Sequence, residues 1–156
     1  MKPKQQEREP MDGIFCLRLE QMLDQRHTLY HLAGKTDWSL AEQRFGGLYS
    51  EKGRPGIPIR LIVGLHYLKH AFNESDEAVV ARWVENLDYQ YFCGEEYFRY
   101  TLPIDPSQMT RSRDRIGEEG CEYMPGLTVV AGIDTQTVAK ASLEVVNVDT
   151  RYRTKR

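Results

Sequence analysis

Apolar positions recur at helical spacing along most of this chain. Over residues 15–32, Leu19, Met22, Leu23, Leu29, Tyr30 and Leu32 share one stripe, which predicts a single helix with Gly34 as its stop. A short second helix is expected from Ser39, as N-cap, to Phe45, ended by Gly46 and Gly47. The stretch SEKGRPGIP that follows is rich in turn formers. Pro58 then opens the strongest pattern, PIRLIVGLHYLKHAF, in which Leu61, Leu65, Leu68 and Phe72 form one stripe and Ile62 and Val63 widen it. A helix this apolar belongs in a core. Ser75 is placed to cap the next helix, with Asp76 and Glu77 near its positive end. DYQYFCG reads as a further short turn ending at Gly94. Asp105, Pro106 and Gln108 read as cap, first helical residue and capping-box partner of a helix carrying Arg111, Arg113 and Arg115. LTVVAGIDTQTVAKAS reads as helical, and only LEVVNVD, residues 143–149, as a strand. The expected fold class is mainly α: a compact, helix-turn-helix-like domain with one late β-strand.

Composition narrows the function classes. The 156 residues fit one domain, or one small domain with an appendage. Formal net charge is −2, so no global basic field points to nucleic acid. The total hides a local asymmetry. Between residues 73 and 98, seven acids face Arg82 alone, whereas from Met109 onward Arg111, Arg113, Arg115, Lys140, Arg151, Arg153, Lys155 and Arg156 make a more basic end. Three widely spaced cysteines, with no C-x-x-C, argue against a disulfide framework or a zinc knuckle and suit a reducing, cytoplasmic setting. No apolar run approaches the roughly 20 residues needed to span a membrane, so no membrane partner is expected. The polar start MKPKQQEREP lacks the apolar core of a signal peptide.

Several groups are candidates for chemistry. Arg111, Arg113 and Arg115, with Ser107, Thr110 and Ser112, could meet phosphates or base edges. Composition alone favours a solvated polar face. His27 with His31, and His66 with His70, have metal-binding spacing, but neither pair has the glutamate of an H-E-x-x-H site, and partly buried helical histidines are the blander reading. The cluster Trp83, Tyr89, Tyr91, Phe92, Tyr97, Phe98 and Tyr100 could stack bases, yet it sits in the acidic segment and reads better as core. Asp149 ends the apolar strand, where a carboxylate could ligate Mg²⁺.

One long stretch carries a resemblance. The Gly-Arg-Pro turn at Gly53, Arg54 and Pro55, SDEAVVARWVEN, YQYFCG and P-x-DPSQMTRSRDRIG together resemble the N-terminal domain of bacterial transposases of the insertion-sequence-five group. The likeness extends weakly through SLEVVNVDT. It implies a helical domain, over about residues 12–120, that binds double-stranded DNA at the terminal inverted repeats of the element, with Arg54, Ser107, Thr110, Arg111, Arg113 and Arg115 as candidate contacts. It also implies a ribonuclease-H-like domain whose Asp-Asp-Glu triad holds two Mg²⁺ ions, and Asp149 matches the first Asp.

After Thr150 the likeness stops at RYRTKR. The charged start, residues 1–11, reads as a disordered tail and residues 121–142 as a connecting helix, while the resemblance implies that residues 143–156 are a catalytic stub, as in a truncated or frameshifted gene. One carboxylate cannot position two metals, so strand cleavage by this chain alone, with no Mg²⁺ of its own, is not expected. Its partners would be element ends, and a second copy or an intact transposase. The competing reading is a remnant that only associates with other copies.

Overall fold

The structure is a computed structural model, and it describes residues 17–48 and 56–134, with side chains as far as Tyr123. Among the described residues the chain is mainly helical: α1 Leu19–Met22, α2 Thr28–Lys35, α3 Trp38–Gly46, α4 Ile59–Ala71, α5 Asp76–Glu85, α6 Leu87–Phe92 and α7 Ser107–Asp134. The strand expected at residues 143–149 lies outside them. Among the described residues the nearest approach to a sheet is one antiparallel bridge between Arg18 and Tyr97, beside the bond from Leu19 N–H to the Glu96 carbonyl at 2.9 Å.

α4, with its wide apolar stripe, is the central element, as its sequence requires. Ile59, Leu61, Ile62, Val63, Gly64, Leu65, His66 and Leu68 are all buried. It packs against α3, α5, α6 and α7. Its stripe meets Leu29 and Leu32 of α2, Val79, Val80 and Trp83 of α5, Phe92 of α6 and Met109 of α7 in one cluster. Ile59 and Val63 join Ala41 and Phe45 of α3 in a second. Gly64 lets α4 lie close against Cys93, the residue that follows α6: a Cβ there would stand 2.8 Å from Cys93 Sγ and 3.3 Å from Cys93 Cα. Only a residue without a side chain permits that approach.

Capping fixes most helix ends. The Ser75 hydroxyl accepts from Ala78 N–H at 3.1 Å, as expected. Asn86 caps α6 by accepting from Tyr89 N–H at 3.1 Å. Arg60 reaches back from α4 to the end of α6, donating to the Phe92 and Tyr91 carbonyls at 3.1 and 3.2 Å while its guanidinium lies 4.7 Å over the Trp38 ring.

The first expected helix is corrected. Residues 15–32 do not form one helix; the described part holds α1 and α2 with a break between them. Leu23 is extended, the Asp24 carboxylate accepts from Arg26 N–H at 2.9 Å, and His27 Nδ1 caps α2 by accepting from Leu29 N–H at 3.3 Å. These local side-chain acceptors compete with the helix ladder and win. Gly34 does not stop α2 but lies within it, and Thr36 closes it by donating its hydroxyl to the Leu32 carbonyl at 2.8 Å. The N-cap of α3 is Asp37, not Ser39; its carboxylate accepts from Ser39 N–H at 3.1 Å. Starting α3 earlier places Trp38 where its indole N–H donates to the Ala33 carbonyl at 2.9 Å.

Gly117 interrupts α7 with φ 75° and ψ 172°, a conformation that residues with a side chain essentially do not adopt. Beyond this elbow the helix leans on α3. Gly120 is buried against Ile116 and Phe45, Tyr123 meets the Phe45 ring edge-on at 6.0 Å, and Arg44 pairs with Glu119 at 3.5 Å.

Candidate nucleic-acid interface

The basic helix is capped by the residue the sequence names, Asp105, and starts at Ser107, one residue after the expected Pro106. The Asp105 carboxylate accepts from Ser107 N–H at 2.9 Å. The helix then separates its three arginines. At about 100° per residue, Arg111 and Arg115 fall on one face and Arg113 on the opposite one.

Arg113 is turned inward and paired. Its Nη1 and Nη2 donate to the two oxygens of Asp76 at 2.9 and 2.7 Å, a fork on a carboxylate. Lys69 Nζ reaches the same carboxylate at 2.7 Å. Arg113 Nη2 also donates to Thr110 Oγ1 at 3.2 Å. One carboxylate at the start of α5 thus ties α4, α5 and α7 together. The sequence assigned Asp76 only a helix-end role; its contact with Arg113, 37 positions away, has no local signal.

Removing that pair should cost stability. Breaking a buried pair costs about 3–5 kcal/mol; the Arg113 side chain is 32% exposed against 11% for Asp76, and solvent screening lowers the figure to about 2 kcal/mol for Arg113→Gln. A denaturant midpoint measured against the parent chain tests this, and an unchanged midpoint would show the fork to be ornamental. The hydrogen bonds from Arg113, reinforced by Lys69 against the opposing effect of burial, hold the Asp76 carboxyl well below the usual carboxylate range. Its contribution is therefore present above about pH 4 and lost as pH falls further.

Ser112 is likewise structural. Its hydroxyl donates to the Met109 carbonyl at 2.7 Å and bonds His66 Nε2 at 3.0 Å. His66 is 2% exposed on α4. Burial, and after it the nearby Arg113, pushes its imidazole down to about 4. His27 caps α2. Among the described residues no group of three or more His, Cys, Asp or Glu could hold a metal. Arg54 and Asp149 lie outside the described residues.

The exposed residues of α7 include Ser107, Thr110, Arg111 and Arg115, together with the acids Asp114, Glu118 and Glu119. Arg111 and Arg115 stand one turn apart on the edge of a cleft of about 440 Å³ between α3, α4 and α7, floored by Ile59, Ile62 and Val63. The aromatic cluster divides: Trp83, Tyr89 and Phe92 are buried, Tyr91 stacks on Tyr30 at 5.0 Å, and Tyr100 is 81% exposed. No helix among the described residues is long and apolar enough to cross a membrane.

Residues 17–115, the bundle as far as the first half of α7, match the family described as Transposase domain (DUF772). The chain belongs to this transposase-domain family. An "Uncharacterized protein ORF8 in nfe locus" from Rhizobium meliloti is 46% identical over 144 residues, covering 92% of this chain and 70% of that protein. No solved structure matches. In transposase-domain terms, the matched segment ends at Arg115, just before the Gly117 elbow.

Proposed function

We propose that this transposase-family chain binds double-stranded DNA, as the end-recognition domain of an insertion-sequence-five-group transposase that reads terminal inverted repeats. The observation that carries this reading is the pair Arg111 and Arg115, exposed one turn apart on a helix pinned to the bundle by the Arg113–Asp76 fork. Phosphate contacts need cations on a rigid, accessible face. Ser107 is exposed at the start of α7 and can add a hydroxyl contact, whereas the Thr110 hydroxyl is already engaged by Arg113 and Asp76. Arg113 contributes by holding the helix in place. Asp149 is, on this reading, the first metal-holding carboxylate of the catalytic domain, and no step is assigned to the described residues.

The test is a salt titration of the double variant Arg111→Gln/Arg115→Gln on a duplex carrying the inverted repeat. Each phosphate contact contributes about 0.9 to the slope of log K against log salt. The slope should fall by about 1.8, with affinity down at least about tenfold at low salt and the helical circular dichroism unchanged. A variant that binds with the parent's slope would move the DNA elsewhere on the surface.

A further inference from the structure

The cleft beside Arg111 and Arg115 has a chemistry that duplex backbone alone does not call for. Its floor is aliphatic, from Ile59, Ile62 and Val63 of α4, while its charged lining residues are Arg111, Arg115 and Asp105. Two cations and one carboxylate leave a net charge of +1. Phosphates along a duplex are met by cations on an outward face and need no apolar hollow beneath them. An inorganic anion gains nothing from the floor, and a purely apolar ligand gains nothing from the arginines. A mononucleotide joins an anionic phosphate to a flat, largely apolar base. The volume, about 440 Å³, falls in the range of small-ligand sites, which are mostly apolar with a few placed polar groups. Gln108 and Asp105 also line the cleft. An amide suits the adenine edge, and a carboxylate suits an exocyclic amino group.

We propose that this cleft is a single-nucleotide subsite, in which Arg111 and Arg115 hold the phosphate, the α4 floor covers the base, and Gln108 and Asp105 meet its edge. Such a nucleotide has two sources. One is an unpaired nucleotide at the end of bound DNA, which rests on the DNA-binding reading above; the other is a free mononucleotide, which does not.

The experiment titrates the full chain with the four deoxynucleoside monophosphates, inorganic phosphate, a blunt duplex, the same duplex with one unpaired terminal nucleotide, and an acidic apolar peptide. Methyl shifts of Ile59, Ile62 and Val63 report occupancy directly. Expected are shifts at these methyls together with at least tenfold tighter binding of the unpaired-end duplex than of the blunt one, or of a monophosphate than of inorganic phosphate. Ile57 also lines the cleft; Ile57→Trp, which fills it and spares the arginines, should abolish that preference and leave blunt-duplex affinity unchanged, and the methyl shifts decide the matter if this variant does not fold. Mononucleotide binding with no affinity for any duplex would keep the subsite and remove the DNA-binding reading. Equal binding of both duplexes with silent methyls would keep the DNA-binding reading and overturn the subsite. Phosphate matching the monophosphates, or the peptide alone moving the methyls, would also overturn it.

Discussion

Replacing Gln90 by Leu should destabilise the bundle by about 3–5 kcal/mol, from buried polar groups left without partners. Gln90 is fully buried in α6. Its amide donates to the carbonyls of Trp83, Val84 and Arg99 at 3.2, 3.3 and 2.8 Å, and its side-chain oxygen accepts from Arg99 N–H at 2.8 Å. Trp83 and Val84 are in the last turn of α5, where carbonyls lack partners within the helix. Asn86, which follows α5, is extended and does not adopt the left-handed conformation that commonly closes a helix. Gln90 therefore completes α5 from the neighbouring helix and, through Arg99, fastens the segment that leads to α7. Leucine fills similar space, so the loss falls on the hydrogen bonds rather than on packing. Domains of this size have only about 5–15 kcal/mol in hand, and the variant should approach unfolding at ordinary temperature. Urea midpoints of Gln90→Leu and Gln90→Glu measure the effect. The glutamate variant keeps an acceptor for Arg99 N–H but loses the donors, so it too should be damaged. A loss below about 1 kcal/mol in both would show that other groups already satisfy these carbonyls.

Stability should also fall steeply in mild acid, and His66 is the reason. In the folded chain its imidazole is neutral down to about pH 4, whereas an unfolded histidine takes a proton near 6.5. Between those values the unfolded state binds the extra proton, so stability decreases as pH falls. The slope approaches about 1.4 kcal/mol per pH unit, or about 3 kcal/mol across the window. Burial contributes most, and Arg113, Lys69 and His70 all oppose a second positive charge there, with Asp76 alone favouring it. His70, lowered by its own burial, adds a contribution of the same sign. Below about pH 4 the protonation of Asp76 extends the loss through the Arg113 fork. His66→Gln retains a donor for Ser112 and cannot titrate. Its unfolding free energy should be much flatter between pH 6.5 and 4, and equal slopes in parent and variant would place the acid sensitivity elsewhere.

The sequence determined what is local. The apolar run of α4 named the central helix, because a helix with so wide an apolar stripe has nowhere else to bury it. Ser75 and Asp105 named two helix starts, because a cap bonds within its own first turn. Local reading failed where two local solutions compete. The stripe over residues 15–32 is helical in period, yet Asp24 and His27 offer the backbone nearer partners and divide it into α1 and α2.

Tertiary structure alone decided how the candidate site is arranged. Arg111, Arg113 and Arg115 are equivalent as letters, and helical periodicity separates their faces without saying which face is solvent. That was settled by Asp76, which draws Arg113 inward, and by α4, whose aliphatic floor lies beneath Arg111 and Arg115. Both partners come from elements distant in sequence. Helical spacing encodes neighbours up to about four residues away, whereas a fork between residues 37 positions apart, or a cleft between three helices, exists only once the chain has packed.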